Sequence, residues 1–254
     1  MITSTQNPKL KLARTLMGRP KERREAGVFV AEGVRLVEEA SAANWPFRFV
    51  LVGETLSERG RDLVAKLKAK GIEVEQVSDT LLRSISETET SQGILAVLDY
   101  SFLSIPQSLD FVLIPDSIRD PGNLGTLLRT AAAASVQAVL LPPETTDAFA
   151  PKVMRAGMGA HFRLSILALP WDEIRAATKS LKVYLADMDG SPCWEADFRL
   201  PLALIVGGEA DGATEEARKL ADAVVSIPMQ GKTESLNAGV AGSIMLFEVV
   251  RQRS

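Results

Sequence analysis

Hydrophobic and polar positions alternate along the chain in two successive series of predicted strands and helices. In the first hundred residues, short apolar runs predict strands at 28–31, 47–52, 72–77 and 93–98. A helix is predicted at 33–43, and another runs to Lys70 behind Ser57, which can cap its first turn, with Gly71 as the stop. This pattern predicts a small α/β domain.

The second half of the chain has stronger apolar runs that are almost continuous. They predict strands at 111–115, 138–141, 181–186, 202–206 and 223–227. Strands that are apolar on both faces are typical of a parallel sheet covered by helices. Between the two series, residues 99–110 are rich in Ser and Pro, which favour turns. We therefore predict two domains, residues 1–105 and residues 106–254.

Composition narrows the chemistry that the chain can perform. The 254 residues are 46% hydrophobic and 24% charged, which is typical of a folded globular protein. The single cysteine, Cys193, excludes an internal disulfide, and together with the single histidine, His161, it leaves too few ligands for an intrachain zinc site. We therefore expect no metal. No apolar run approaches the roughly 18 residues of a membrane span, so we also expect no membrane and a cytoplasmic location.

Charge is distributed unevenly along the chain. The net charge is −3, yet residues 1–24 carry seven cations against the single carboxylate of Glu22. A basic segment on an acidic body is suited to local contact with phosphates, and a solvated helix face fits the charge pattern equally well. The seven cations are Lys9, Lys11, Arg14, Arg19, Lys21, Arg23 and Arg24.

Three loops that follow predicted strands carry candidate functional residues. The first leads into a helix predicted at 126–134, where Arg129 is the only charge between 126 and 141 and could clamp a phosphate or carboxylate, or lie on the surface. The second, 207–212, is rich in glycine, which lets a ligand approach the backbone, although it lacks the GxGxxG dinucleotide pattern. The third ends at Ser235 and Asn237, either of which could be an N-cap.

Three motifs follow one another at these strand ends. They are Asn123-x-Gly125-x-x-x-Arg129, then Gly208-Glu209-x-x-Gly212, then Ile227-Pro228-Met229 followed by Ser235-Leu236-Asn237. In this order they resemble the motifs of the SpoU branch of the SPOUT RNA methyltransferases. Residues 150–160 are similar to the family's segment between motifs. The run Ser4-x-x-Asn7-Pro8-x-x-Lys11 with residues 29–33 resembles an L30e-like substrate-binding domain.

One part of the third motif departs from the resemblance. Ala238, Gly239 and Gly242 stand where the family often has bulkier or hydroxylated residues. The polar positions of the motif are intact, so the departure affects the expected shape of the pocket.

The resemblance implies a fold, a cofactor and partners. The fold is a C-terminal α/β trefoil-knot domain with a parallel sheet, plus the smaller N-terminal L30e-like α/β domain. The cofactor is S-adenosylmethionine, and the reaction is methyl transfer to a ribose 2′-hydroxyl of structured RNA. The protein is expected to be a homodimer through its C-terminal domain. We expect 23S-type ribosomal RNA as substrate, with transfer RNA as the alternative.

The resemblance also implies roles for individual residues. The catalytic set is Asn123, Arg129, Glu209, Ser235 and Asn237, and the cofactor contacts are Gly207, Gly208, Glu209, Ile227, Met229, Ser235, Leu236 and Asn237. From their charge, the candidate RNA contacts are Lys9, Lys11, Arg14, Arg23, Arg24, Lys152 and Arg155, with solvated helix charges as the alternative for the last two. A guanidinium scarcely deprotonates, so Arg129 is expected to orient the hydroxyl, while Glu209 is either a base or a structural partner of Asn237.

Other interpretations remain open from the sequence alone. A protein of the same fold could bind RNA without methylating it, and a doubly wound sheet could serve a nucleotide-dependent oxidoreductase. Asp187-Met188-Asp189-Gly190 lacks the remaining ligands of a calcium loop, so a turn that ends a strand is expected there. His161 is expected in the core or at a strand edge.

Overall fold

The computed structural model describes residues 1–86, 91–101, 106–209, 212–231 and 235–254. They form two compact units, the first comprising Met1–Ser101 with Phe149–Phe162 and the second comprising Phe102–Ala148 with Arg163–Ser254. Residue 105, at the predicted domain boundary, lies outside the described residues. So do residues 210–211 and 232–234 of the motif loops.

The first unit is built on a mixed four-stranded sheet with the strand order β1-β4-β2-β3. Its strands are β1 (Val28–Glu32), β2 (Phe47–Val52), β3 (Val74–Gln76) and β4 (Ile94–Asp99). Strand β4 is antiparallel to β1 and β2, and β3 is parallel to β2. Its helices are α1 (Pro8–Gly18), α2 (Pro20–Ala26), α3 (Val34–Ala42), α4 (Glu58–Ala69), α5 (Asp79–Arg83) and α7 (Pro151–Gly157).

The apolar side chains of this unit form two clusters, because successive residues of a strand point to opposite faces. Leu16 of α1 and Leu82 of α5 belong to the cluster that contains Val30. Phe29, the neighbour of Val30, belongs to the other cluster, with residues of α3 and α4. The structure thus confirms the predicted α/β character of the N-terminal region. It also confirms Ser57 as the N-cap of α4, where its side chain accepts a hydrogen bond from the Gly60 amide at 3.1 Å.

Residues 149–162 contribute to the core of the first unit, which differs from the predicted division of the chain. The rings of Phe149 and Phe162 lie with their centroids 4.8 Å and 6.4 Å from that of Phe29. His161 is fully buried in a short 3₁₀ turn, Ala160–Phe162, beside Phe149. Its predicted place in the core is confirmed, and its alternative place at a strand edge is wrong.

The second unit contains a six-stranded sheet, parallel throughout, with the order β10-β8-β9-β5-β6-β7. Its strands are β5 (Phe111–Pro115), β6 (Ala138–Leu141), β7 (Ser165–Ala168), β8 (Lys182–Pro192), β9 (Leu202–Val206) and β10 (Ala223–Ser226). Its helices are α6 (Pro121–Ala133), α8 (Trp171–Ala177), α9 (Glu215–Leu220) and α10 (Ala238–Arg253). The predicted parallel sheet is confirmed, and β7 is an additional strand.

Two boundaries in this unit differ from prediction for local reasons. Helix α6 begins at Pro121, five residues before the predicted start, because the Asp120 side chain caps it by accepting from the Asn123 amide at 2.8 Å. Strand β8 continues to Pro192, so the prediction that Asp187–Gly190 is a turn ending the strand is wrong.

Strand β8 carries an irregularity that shapes the functional edge of the sheet. Its partner β10 pairs Val224 with Leu185 and then Val225 with Ser191, so residues 186–190 have no opposite partner in that ladder. We call these five residues the β8 excursion. It ends at Gly190, where a Cβ would lie 2.5 Å from the Val225 amide nitrogen. No helix in the described part of the chain is long and apolar enough to cross a membrane.

Candidate active site

The carboxyl ends of four neighbouring strands, β5, β9, β8 and β10, meet at one edge of the parallel sheet, which is where such sheets hold ligands. A cavity of about 780 Å³ opens there. All eight residues predicted to contact a cofactor line it: Gly207, Gly208, Glu209, Ile227, Met229, Ser235, Leu236 and Asn237. The second and third motifs therefore form a single pocket.

The cavity also includes residues that the sequence analysis did not assign to the site. Ala186–Asp189 of the β8 excursion, Arg218 of α9 and Met245 of α10 all contribute to its wall. The rule that ligands bind beyond strand ends applies to β8 as well. Asp187 was expected in a turn that ends this strand, and that rule, applied to the turn, would have placed Asp187 among the candidate site residues.

The glycines of the 207–212 loop allow backbone segments to touch. A Cβ on Gly207 would lie 2.7 Å from the amide nitrogen of Ala213, and one on Gly208 would lie 2.6 Å from the carbonyl oxygen of Ser117. No side chain fits at either position without a shift of backbone. The loop after β9 thus lies directly against the loop after β5.

A buried carboxylate strengthens the contact between these loops. Asp116, at the end of β5, is fully buried, and its Oδ2 accepts a hydrogen bond from the Thr214 amide at 2.6 Å. Burial raises the pKa of Asp116 above its ordinary value, although the hydrogen bond from Thr214 acts in the opposite direction. Thr214 in turn caps α9 by accepting from the Ala217 amide. Asp116 was not among the residues predicted from the sequence to form the site.

Three predicted catalytic residues cluster around the start of α10. Asn237 is the N-cap of this helix, accepting from the Val240 amide at 3.2 Å, and its Nδ2 donates to Oε1 of Glu209 at 3.4 Å. The expectation that Glu209 is a partner of Asn237 is therefore met. A Cβ on Gly239 would lie 3.1 Å from Oδ1 of Asn123 and 3.2 Å from Oδ1 of Asn237. Gly239, one of the departures from the family pattern, leaves room for both amides.

Arg129 and Ser235 differ in their relation to the cavity. Arg129 is exposed on α6 and makes no hydrogen bond or ion pair with any residue that the structure describes, and it is not part of the cavity wall. Its surface position leaves the guanidinium accessible to a phosphate or carboxylate of a ligand. Ser235 is exposed and belongs to the wall. An uncommitted guanidinium and hydroxyl remain available to a ligand.

The chemistry of the cavity suits S-adenosylmethionine. Apolar side chains such as Ile227, Leu236 and Met245 offer a surface for a flat adenine. Among the residues that the structure describes, the ionisable side chains in the wall are the carboxylates of Asp187, Asp189 and Glu209 and the guanidinium of Arg218. An excess of carboxylates favours a ligand that carries a positive sulfonium.

The cations predicted to contact RNA divide into two groups. Lys11, Arg14, Arg24 and Lys152 have exposed side chains in the first unit. Lys9, Arg23 and Arg155 are engaged within that unit: Lys9 pairs with Glu73 and Glu75, Arg23 donates to the carbonyls of Leu16 and Met17, and Arg155 lies 3.8 Å from Glu32. Arg23 is 2% exposed, so in this fold it anchors the end of α1.

Comparison with known families agrees with the two-part organisation of the chain. Residues 110–247 match the SpoU rRNA Methylase family. Residues 7–96 match the MRM3-like substrate binding domain. The two matches cover the region of the three motifs and the basic N-terminal region, respectively.

Individual relatives and solved structures match over nearly the whole chain. The 23S rRNA (guanosine(2553)-2′-O)-methyltransferase RlmP of Bacillus subtilis is 35% identical, over 98% of each chain. The crystal structure of AviRb from Streptomyces viridochromogenes in complex with AdoMet aligns with a TM-score of 0.83 and 30% identity, covering 97% of this chain and 99% of that one. An AdoMet-bound rRNA methyltransferase from Sinorhizobium meliloti aligns with a TM-score of 0.86 and 31% identity, covering 98% and 97%.

Proposed function

The chain belongs to the SpoU rRNA methylase family, and on that premise we propose that it methylates a ribose 2′-hydroxyl of ribosomal RNA at the cavity beside β8, β9 and β10. It is an enzyme, and S-adenosylmethionine is its cofactor. The observation that carries the proposal is that eight residues chosen from sequence motifs line one cavity. When bound, the cofactor supplies an electrophilic methyl group on a sulfonium, whose leaving group is a neutral thioether.

The walls of the cavity hold the cofactor through backbone and apolar surface. We assign this role to Gly207 and Gly208, which have no side chain to cover the backbone, and to Ile227, Met229 and Leu236. Glu209, Ser235 and Asn237 provide the polar edge. Fixing the donor in one orientation lowers the entropy cost of bringing the ribose oxygen in line with the methyl group.

The nucleophile is oriented by the remaining motif residues. A guanidinium stays protonated at neutral pH, so Arg129 is assigned to bind the RNA and stabilise the negative charge that develops on the 2′-oxygen. The hydroxyl proton leaves to solvent or to the carboxylate of Glu209, which the Asn237 amide holds at 3.4 Å. Asn123 supports this group by packing against the Gly239 backbone.

The N-terminal domain, proposed as residues 1–105, binds the RNA substrate. The exposed cations Lys11, Arg14 and Arg24 support this role, because phosphate contacts supply most of the sequence-independent affinity for nucleic acid. Lys152 adds a further exposed cation in the same unit. We infer a cytoplasmic location from a ribosomal RNA substrate.

We further propose that the protein acts as a homodimer through the domain at 106–254. Two large apolar side chains on α10, Val240 and Phe247, are 46% and 50% exposed and stand seven residues apart, which places them on one face of the helix. An exposed apolar stripe of this kind is typical of a subunit interface. Sedimentation of Phe247→Glu is expected to give monomers where the unaltered protein gives dimers.

Transfer of a labelled methyl group tests the proposed function. Purified protein is incubated with labelled S-adenosylmethionine and either ribosomal RNA or transfer RNA lacking the modification. The nucleosides are then identified by mass spectrometry. Label in a 2′-O-methylnucleoside of ribosomal RNA is the expected result. Label only in transfer RNA would show that transfer RNA, and not ribosomal RNA, is the substrate. No label in either RNA would favour a protein that binds RNA without modifying it.

A further inference from the structure

An ion pair crosses the wall of the cavity between two elements that the motifs do not include. Nη2 of Arg218, on α9, lies 2.6 Å from Oδ2 of Asp187, in the β8 excursion. Both residues line the cavity. The Asp187 side chain is 13% exposed and that of Arg218 is 49% exposed, so the carboxylate depends on this partner more than a surface carboxylate would.

The pair joins two segments that both contribute to the wall of the cavity. The β8 excursion has no opposite partner on β10 and is fixed at its end, where Ser226 Oγ donates to the Gly190 carbonyl at 2.8 Å. Its middle carries Met188, which is 66% exposed and adds little packing. Arg218 also lies beside the 207–212 loop, with Nη2 3.7 Å from the place of a Cβ on Gly212.

We propose that Asp187 and Arg218 form a positioning pair that holds the β8 excursion beside α9 and Gly212 and so sets the affinity for S-adenosylmethionine. The inference rests on the proposed function, since the ligand is the cofactor. Neither residue takes part in the transfer of the methyl group. Without Arg218, the Asp187 carboxylate is left largely out of water with no countercharge, and the excursion moves to hydrate it.

A competing role for Arg218 makes the opposite prediction for its partner. If the guanidinium bound the carboxylate of the cofactor directly, then Asp187→Asn would free it and strengthen binding. If Asp187 instead attracted the sulfonium, then Asp187→Asn would weaken the binding of S-adenosylmethionine but not that of S-adenosylhomocysteine, the product, in which the sulfur is an uncharged thioether. A positioning pair predicts that loss of either partner weakens both ligands.

The experiment is a calorimetric titration of the full chain with each ligand in turn. The variants are Asp187→Asn, Arg218→Met and the double variant. The matched controls are Glu215→Gln and Lys219→Met, which break a 2.7 Å ion pair on the same helix that does not line the cavity. Arg218→Lys tests whether a shorter cation restores part of the affinity.

Each single variant is expected to have about threefold to tenfold lower affinity for both ligands, a moderate loss because the pair is partly exposed. The double variant should bind each ligand no more weakly than the single variant with the lower affinity, since both single substitutions remove the same interaction. The controls should stay within about twofold of the unaltered protein, because exposed pairs contribute little. Thermal unfolding without ligand should match between Arg218→Met and Lys219→Met, which excludes a general loss of folding.

The possible failures are distinguishable. If the unaltered protein does not bind S-adenosylmethionine, the proposed function itself fails. If the unaltered protein binds and Asp187→Asn binds as well or better, the positioning pair is overturned and the proposed function stands. Additive losses in the double variant would also overturn the pair.

Discussion

The backbone of Gly208 lies against the backbone of Ser117, and a Cβ added to Gly208 would be 2.6 Å from the Ser117 carbonyl oxygen. This contact brings the loop after β9 onto the loop after β5, although the two residues are ninety-one positions apart in the chain. A wall of the cavity therefore depends on a glycine that the sequence alone would allow to be a plain turn.

Gly208→Ala is expected to weaken S-adenosylmethionine binding by about tenfold or more, because backbone must move to admit a methyl group that costs about 1–3 kcal/mol in a packed site. Gly231→Ala is the control, because within the described part of the chain no atom beyond its sequence neighbours lies within 4 Å of its added Cβ. Calorimetric titration measures both. Equal affinity in the two variants would show that the contact with Ser117 does not shape the pocket.

Arg129→Ala is expected to retain cofactor binding and to lose methyl transfer by about 100-fold or more, the cost of removing one group that stabilises developing charge. Cofactor binding should be retained because Arg129 is exposed and lies outside the cavity wall. Arg175→Ala, an exposed arginine on α8, is the control for loss of surface charge. Transfer that survives in Arg129→Ala would remove this residue from the catalytic set.

Asn237 has two separable roles, as the cap of α10 and as the donor to Glu209. Asn237→Asp keeps the cap and loses the donor, so we expect near-normal stability with reduced transfer. Asn237→Ala should lose about 1 kcal/mol of stability as well. Ser57→Ala removes the cap of α4 and should lower stability without a matching loss of transfer. Reduced transfer in Asn237→Ala but not in Asn237→Asp would leave only the capping role.

The basic residues of the first unit should differ in their effect on RNA affinity. Lys11→Ala and Arg24→Ala are each expected to reduce the slope of log affinity against log salt by about 0.7 to 0.9 if each contacts one phosphate. Lys9→Ala should leave the slope unchanged, because Lys9 is paired with Glu73 and Glu75. Filter binding over a salt series gives the slopes, and an equal change in all three variants would contradict this division.

Asp116 predicts a pH dependence of stability. Burial raises its pKa in the folded state, so between the ordinary and the raised pKa the folded protein binds more protons than the unfolded one, and this contribution to stability falls as pH rises. Asp116→Asn removes it. The free energy of unfolding of the unaltered protein, minus that of Asp116→Asn, should decrease from pH 4 towards pH 7. A difference that grows with pH would mean that Asp116 is stabilised as the anion.

The sequence predicted most completely those elements whose signal is local. Strands such as Phe111–Pro115 and Leu202–Val206 are uninterrupted apolar runs, and their bounds match the structure. The continuation of β8 to Pro192 was missed because Asp187 to Gly190 has the composition of a turn, and β8 pairs with β10 again only beyond it, at Ser191 and Pro192. No local pattern reports that pairing.

The candidate site was predictable as a set of strand ends but not as a set of partners. The eight cavity residues follow from motifs that end at the same edge of a parallel sheet. The partners of Lys9 lie in a distant part of the chain, and the burial of Arg23 results from the path of α1 into α2. In the sequence, both residues therefore look like exposed cations. The packing of residues 149–162 in the first unit is likewise set by tertiary contacts that the local sequence does not indicate.

We propose that this cavity delivers a methyl group to a ribose of ribosomal RNA. The most direct measurement is a map of 2′-O-methylation in ribosomal RNA from cells that lack the protein and from the same cells supplied with the unaltered chain or with Arg129→Ala. A ribose methylation that returns only with the unaltered chain is the predicted result. An identical map in all three cell lines would show that the chain methylates no ribose of ribosomal RNA.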